Sequence, residues 1–441
     1  MRTGSGGHNI RLAAPSAYKR LAYPRPFHVR PPTAMPAPTS PLPDWLQAAG
    51  ASGHLTNVLQ VLGKREKERI ALSNASRHKN NPSMTHRIAH LPSTLLKNDA
   101  TIKHYSISIA SHPEHRRYNR YADVTPYDRT RVVVGHNGSE EISGRYLNAS
   151  WVRELYGGKW WIASQAPLPE TTHAFLTVIL EPISPPPAVS QKCKPVTGSV
   201  SRVRTVVQLT QDVESGMRKA HAYIPPHVGD SWVSAPESNC GAKPLKITLL
   251  DATHIEDAHC IQSTVSIQPL NSMKVADAIG EPVVFKHMLF SSWPDHSVPK
   301  PEDRAALLRF ARLVDQTNRD LSLQPAAVRD GLDPDPPIIA GCSAGIGRTG
   351  SFIALSSLLR ASRFLPPPSS LLHEPNQELP PLEPSLLGPL PEELREDRVA
   401  QEIDALREQR PGMVQRPDQV QLIFECLMMA FATEKPAGSD S

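Results

Sequence analysis

Cys342 and Arg348 frame the stretch Cys-Ser-Ala-Gly-Ile-Gly-Arg, and four of the five residues between them are Ser, Ala or Gly. Small residues let the backbone curl with its N–H groups inward, and such a nest at a helix N-terminus binds a phosphate dianion. The same positive field lowers a thiol pKa from ~8.5 towards ~4 to 7, so Cys342 would sit as a thiolate beneath that anion. Arg348 can grip two phosphate oxygens through its planar fork, which a lysine could not do. A nucleophile and an oxyanion clamp therefore share one loop, built from Ser343, Ala344, Gly345, Ile346 and Gly347 and followed by Thr349.

The elements that must hold this loop are legible on either side of it. Pro336 and Pro337 precede a short apolar run that ends at Cys342, and Ser351 to Leu359 is apolar at helical spacing. That pattern predicts a strand, a tight loop and a helix N-terminus. Gly345 to Gly350 also fits a G-x-G-x-x-G dinucleotide fingerprint, which needs a second strand and an acidic residue roughly 20 positions on. Phe364-Leu-Pro-Pro-Pro-Ser-Ser occupies that region and is no strand, and a P-loop would need a lysine that is missing here.

Arginine at +6 followed by Thr-Gly resembles the signature of the cysteine-dependent protein tyrosine phosphatases, Cys-x5-Arg-Ser/Thr-Gly. Three further stretches are similar to that family and stand in its order. Asn119-Arg-Tyr-Ala-Asp-Val-Thr-Pro-Tyr-Asp128, on its own an ordinary turn entering the strand Arg131 to Val134, resembles the phosphotyrosine-recognition loop. There Tyr121 would stack on the substrate ring and give the pocket its depth, and Asp123 would accept hydrogen bonds from the substrate backbone. Ser291-Ser-Trp-Pro-Asp-His-Ser-Val-Pro299, by itself a Pro-Asp turn signal, resembles the mobile Trp-Pro-Asp loop, with Asp295 as general acid under Trp293. Arg410 to Gln419 resembles the glutamine loop, in which Gln415 orients the hydrolytic water with Gln419 beside it.

The resemblance covers about residues 55 to 432 and implies more. Glu214, in what could be a plain surface hairpin, would pair with Arg348 and hold its fork flat, and Lys219 would lie near the acid loop. Thr349 would stabilise the departing thiolate. Tyr146 to Ser150 and Trp160 to Pro169 are similar to scaffold stretches of the family. The implied fold is α/β, a twisted mixed sheet flanked by helices, with the Cys-x5-Arg loop between a strand and a helix N-terminus. The implied reaction is hydrolysis of phosphotyrosine in proteins through a phosphocysteine intermediate, with no metal or organic cofactor. One position departs from the pattern: the family has a histidine before its cysteine, and this chain has Gly341. An active but slower enzyme is expected, which Gly341→His should speed up. A phosphotyrosine-binding pseudophosphatase is the opposing reading.

Composition is compatible with this. The chain has 441 residues and 39% hydrophobic content, enough for a globular core, and its 45 prolines are about twice the usual ~5%. They concentrate in a basic, acid-free arm at residues 1–43, read as disordered, and in insertions at about 184–203 and 365–391, the latter expected to be extended and exposed. SH3- or WW-type modules are the partners such segments suggest, beside phosphotyrosine proteins. Residues 433–441 read as tail. No apolar run approaches the ~18 residues of a membrane span. A formal charge of +5 gives no reason to expect a nucleic-acid partner. Five widely spaced cysteines suit a reducing, cytoplasmic setting, and the acid-free N-terminus leaves a mitochondrial leader as the alternative. His254, Asp257, His259 and Cys260 fit no zinc spacing.

Helices are expected from Pro43 to Leu72, Thr171 to Leu180, Glu302 to Thr317, Glu392 to Gln409 and Val420 to Phe431. Strands are expected at Val206 to Thr210, Leu245 to Leu250, Gln262 to Leu270 and Val283 to Phe290.

Overall fold

The strand that ends in Cys342 lies inside a nine-stranded sheet, and its two faces feed two different cores. The computed structural model describes residues 42–79, 99–135, 144–185, 200–238, 240–295, 297–369, 379 and 381–434. Outside that set fall residues 1–41 of the basic arm, 186–199 of the first insertion, 370–378 and 380 of the second, His296 after Asp295, and tail residues 435–441.

In chain order the helices are α1 (Asp44–Ala48), α2 (His54–Lys79), α3 (Asp99–His104), α4 (Ser108–Ser111), α5 (Thr172–Leu180), α6 (Arg304–Arg319), α7 (Gly347–Ala361), α8 (Arg398–Gln409) and α9 (Pro417–Thr433). The strands are β1 (Arg131–Val134), β2 (Arg145–Arg153), β3 (Trp160–Gln165), β4 (Thr205–Gln208), β5 (Val213–Glu214), β6 (Met217–Arg218), β7 (Ser231–Ser234), β8 (Leu245–Ile255), β9 (Cys260–Pro269), β10 (Val283–Phe290) and β11 (Ile338–Cys342). The large sheet runs β1-β2-β3-β11-β4-β10-β9-β8-β7, and β5 and β6 form a separate hairpin.

The central strands β3, β11, β4 and β10 are parallel, and both wings are antiparallel. Parallel strands are covered on both faces and so read as continuous apolar runs, as Ile338-Ile339-Ala340 and Val206-Val207 do. Side chains alternate along β11. Ile338, Ala340 and Cys342 join the core built with Phe352, Leu355, Ile403 and Ile423 of α7, α8 and α9, whereas Ile339 joins Phe175 and Ile179 of α5. Gly341 therefore faces the α5 side. Phe352, fully buried, meets Trp161 edge-on at 5.9 Å and Phe310 at 5.5 Å. Burying such a ring stabilises the fold by about 1.5–3 kcal/mol, and Phe352→Ala would cost about 3–5 kcal/mol because a cavity remains.

Three expectations are corrected. The N-terminal helix divides into α1 and α2 around Gly50 to Gly53. The charged helix starts at Arg398 and not at Glu392, because the Asp397 carboxylate caps it by accepting the Ala400 N–H at 2.8 Å. The third is corrected in part: the described ends of the 365–391 insertion include exposed residues, Pro366, Pro367, Leu386 and Pro389 among them, but their carbonyls are docked. Arg360 and Arg319 donate to the Pro366 and Pro367 carbonyls, and Arg65 of α2 donates to those of Leu387, Gly388 and Pro389. These segments form no helix or strand, so their carbonyls lack regular backbone partners, and guanidinium groups take that role here. The first insertion closes at its neck, where Ile183 N–H donates to Ser201 O at 2.9 Å.

Candidate active site

The loop after β11 has its carbonyls pinned outward. Cys342 and Ser343 both present theirs to the Ala166 N–H, at 2.8 and 3.2 Å. Arg410 takes those of Gly345, through Nε at 2.8 Å, and Ala344, through Nη2 at 3.1 Å. The Ile346 carbonyl accepts from Gly350 and Val414, at 2.9 and 3.1 Å. In a planar trans peptide each C=O points away from the N–H that follows it. The N–H groups from Ser343 to Gly347 are thereby turned to the other side of the loop. Among the described residues no acceptor takes those of Ser343, Ala344, Gly345 or Ile346. Helix α7 begins at Gly347, earlier than the periodicity suggested, so its positive end abuts the same space and Arg348 lies in its first turn. Gly345 has φ +68°, and a Cβ there would fall 2.2 Å from the Ser164 carbonyl oxygen, so only glycine closes this turn.

Arg348 enters from the front. Its Nη1 and Nη2 pair with the two Glu214 oxygens at 2.6 and 2.7 Å, and Nη1 also donates to Leu209 O at 2.9 Å. Burial alone would lower its pKa, but the Glu214 hydrogen bonds and the neighbouring Cys342, Glu214 and Asp295 raise it overall. Glu214 is fixed in turn by Thr210 Oγ1 at 2.9 Å and the Gln211 N–H at 3.0 Å. The tight Ser215-Gly216 turn, with both residues at positive φ, lets hairpin β5–β6 carry it there. Asp295 lies over the loop, with Oδ1 3.3 Å from Arg348 Nη2 and Oδ2 2.8 Å from Lys219 Nζ. Trp293 beside it is buried against Phe290, and its Nε1 donates to Ser297 O at 3.2 Å.

The remaining expected residues surround this centre. The Tyr121 and Ser343 hydroxyls are 2.8 Å apart; since Ser343 donates to Lys219 O at 2.8 Å, Tyr121 is the donor between them. Asp123 is half-buried two residues further along. Thr349 is fully buried, and its hydroxyl has no hydrogen-bond partner among the described residues. Gln419, in the first turn of α9, lies so close to Gly347 that a Cβ there would be 2.9 Å from its amide nitrogen. Gln415 is half-buried and directly follows Val414, whose N–H reaches the loop.

Two supports went unpredicted. Arg410, with no exposed surface, also donates to Asn148 Oδ1 at 2.9 Å and Ser150 Oγ at 3.1 Å. Gln165 receives the Arg120 N–H at 2.9 Å and donates to Tyr118 O at 2.8 Å, so it carries the segment that holds Tyr121. Behind the nucleophile, Gly341 and Cys342 share a cavity of about 20 Å³ with Phe175, Gln208 and Tyr223. It has room for one water and none for an imidazole ring. A Cβ at Gly341 would meet the Ser164 carbonyl oxygen at 3.1 Å.

A cysteine under an amide nest, with a carboxylate-clamped arginine at its mouth, offers donors and positive charge suited to a phosphate dianion. The chain matches the family model described as protein-tyrosine phosphatase over residues 115–184 and 199–363, and it belongs to that family. It is 29% identical over 270 residues to a tyrosine-protein phosphatase Lar-like of Caenorhabditis elegans, covering 60% of this chain and 10% of that protein. Receptor-type tyrosine-protein phosphatase C of Mus musculus is 29% identical over 257 residues, 58% of this chain and 16% of its own length. Tyrosine-protein phosphatase non-receptor type 20 of Mus musculus is 25% identical over 318 residues, 71% of this chain and 54% of its own. The chain thus spans from a tenth to about half of these relatives. No helix among the described residues is long and apolar enough to cross a membrane.

Proposed function

We propose that this chain hydrolyses phosphotyrosine in proteins through a phosphocysteine intermediate. The observation that carries the reading is the convergence of Cys342, the Glu214-clamped Arg348 and Asp295 on the side of the loop to which its N–H groups turn, opposite the pinned carbonyls. The Cys342 sulfur attacks phosphorus in line as the P–O bond to tyrosine breaks. Asp295 gives its proton to the departing tyrosyl oxygen. The loop N–H groups and Arg348 hold the three equatorial oxygens, whose charge is the main demand of the transition state. Water aligned by Gln415 then attacks phosphorus, Asp295 takes its proton, the P–S bond breaks, and inorganic phosphate leaves. Thr349, whose buried hydroxyl has no acceptor among the described residues, donates to the sulfur as its charge returns. Tyr121 walls the pocket at the depth of a tyrosyl ring, and Asp123 would accept from the substrate backbone.

Phosphate release from a phosphotyrosyl peptide tests this directly. Cys342→Ser is expected to abolish release and retain peptide binding, and near wild-type release by that variant would refute the mechanism. Asp295→Ala should lower kcat by ~10² or more with a phenyl ester and much less with a nitrophenyl ester, which needs no proton. Gly341 favours a second reading, the pseudophosphatase that binds phosphotyrosine with little turnover; the same release assay separates the two. Free thiols at Cys240, Cys260, Cys342 and Cys426 fit action in the reducing cytoplasm. SH3- or WW-type partners for the proline-dense segments are supported by composition.

A further inference from the structure

Val414 stands in the left-handed backbone region at φ 54°. A β-branched residue there is strained, and such strain persists only where the surroundings over-determine the backbone. Three groups do so. In front, the Val414 N–H donates to Ile346 O at 3.1 Å, an approach that Gly350 leaves open, since a Cβ there would lie 2.4 Å from that nitrogen. Behind, the Arg407 guanidinium donates Nε to Met413 O at 2.8 Å and Nη2 to Val414 O at 2.7 Å. Its Nη1 reaches Leu62 O on α2 at 3.0 Å, and Glu66, one turn further along α2, accepts the Gly412 N–H at 2.8 Å. Both side chains are buried, and the hydrogen bonds of Arg407 run to α2 and the strained segment, none to the phosphate loop.

We infer that Arg407, with Glu66 opposite it on α2, is a positioning residue for the hydrolytic half of the reaction. Together they latch residues 412–414 between α2 and the phosphate loop and so set the direction in which Gln415, the next residue, leaves the backbone. The inference rests on the reading of Gln415 as the water-orienting group. Transfer of the phosphoryl group from the tyrosyl oxygen to Cys342 uses Cys342, the loop N–H groups, Arg348 and Asp295. Only the attack of water on the P–S intermediate uses Gln415. Loosening the latch therefore slows the second step and leaves the first alone.

Steady-state kinetics of the full chain on p-nitrophenyl phosphate read this out. Slowing only the second step lowers kcat and KM together and leaves kcat/KM within about 2-fold, because kcat/KM reports events up to departure of the leaving group. Arg407→Met is expected to show that joint fall by about 10-fold, and Arg407→Lys, which keeps one donor group, a smaller one. Rapidly quenched Arg407→Met should also carry more phosphate on Cys342 during turnover than wild type. A fall in kcat/KM that matches the fall in kcat, with no rise in phosphoenzyme, would overturn the inference in favour of a general structural role; so would unchanged kinetics. If melting shows that the Arg407 variants do not fold, Glu66→Met opens the other half of the latch by removing the acceptor of the Gly412 N–H. It should give the same joint fall, and unchanged kcat there overturns the proposal. Failure of the phosphatase reading itself looks different: the wild-type chain would then release no nitrophenol.

Discussion

Arg348 and Arg410 flank the phosphate loop from opposite sides and do opposite things with the same side chain. The front arginine is charge-matched, held flat by both oxygens of Glu214 and 3.3 Å from Asp295. The rear arginine spends donors on loop carbonyls and on Asn148 and Ser150, with no exposed surface left. On the proposed function, one binds the substrate anion. The other, by holding carbonyls back, decides where the N–H groups point. A planar five-donor cation serves both tasks because its geometry is fixed and its charge permanent.

The comparison can be broken by substituting each in turn. Arg348→Lys should lower kcat by about 10³, since a point charge replaces a bidentate clamp on the transition state, while the melting temperature stays within a few degrees. Arg410→Lys should do less to kcat, about 10-fold to 10²-fold, but cost about 2–4 kcal/mol of stability because buried carbonyls lose their donors. Equal stability losses in the two, by thermal melting beside steady-state kinetics, would mean that front and rear are not distinct.

Gly341→His sharpens the contrast on the α5 side of β11. The sequence alone suggested that restoring the family's histidine would speed turnover, but the cavity there is about 20 Å³ and a Cβ would press on the Ser164 carbonyl oxygen. Overpacking of this kind costs about 1–3 kcal/mol. We expect a lower melting temperature and no gain in kcat; a faster, equally stable variant would show that Tyr223 and Phe175 make room.

The smallest effect on turnover is expected far behind the loop, at Glu402. Burial, with help from Glu154, raises its carboxyl from 4.5 to about 8, although Ser357 and the Leu155 and Tyr156 N–H groups pull the other way. The folded chain thus keeps a proton that the unfolded chain releases near 4.5. Stability should fall as pH rises from about 4.5 towards 8, by at most about 1.4 kcal/mol per unit, and level off above. Glu402→Gln should flatten that slope in melting curves taken across the range and leave kcat unchanged at pH 6; a slope as steep as wild type would assign it to another group.

What could be read from the sequence follows the same division. Arg348, Glu214, Lys219 and Asp295 lie within contact of one another, and the sequence could point to them because chemistry and spacing are kept on short segments. Arg410 and Gln165 were missed because their partners are carbonyls and amides far away in the chain, and a hydrogen bond to backbone leaves no mark on the partner's residue type. Composition fell short for the 365–391 segment for the same reason: proline content speaks for an extended chain, and says nothing of guanidinium groups waiting for its carbonyls. Helix boundaries slipped where a single cap decided them, as at Asp397.

The neck at Ile183 and Ser201 has a consequence for how this chain tolerates change. Three backbone bonds, Ile183 N to Ser201 O, Val200 N to Gly331 O and Asp333 N to Val200 O, tie its two ends to each other and to the segment that leads into β11. With the ends fixed, the conformational cost of what runs between them grows only logarithmically, about 0.6 kcal/mol per doubling of length. The neck is therefore a port: residues can be added, removed or exchanged for a foreign module beyond it while the sheet and the nucleophile keep their registration.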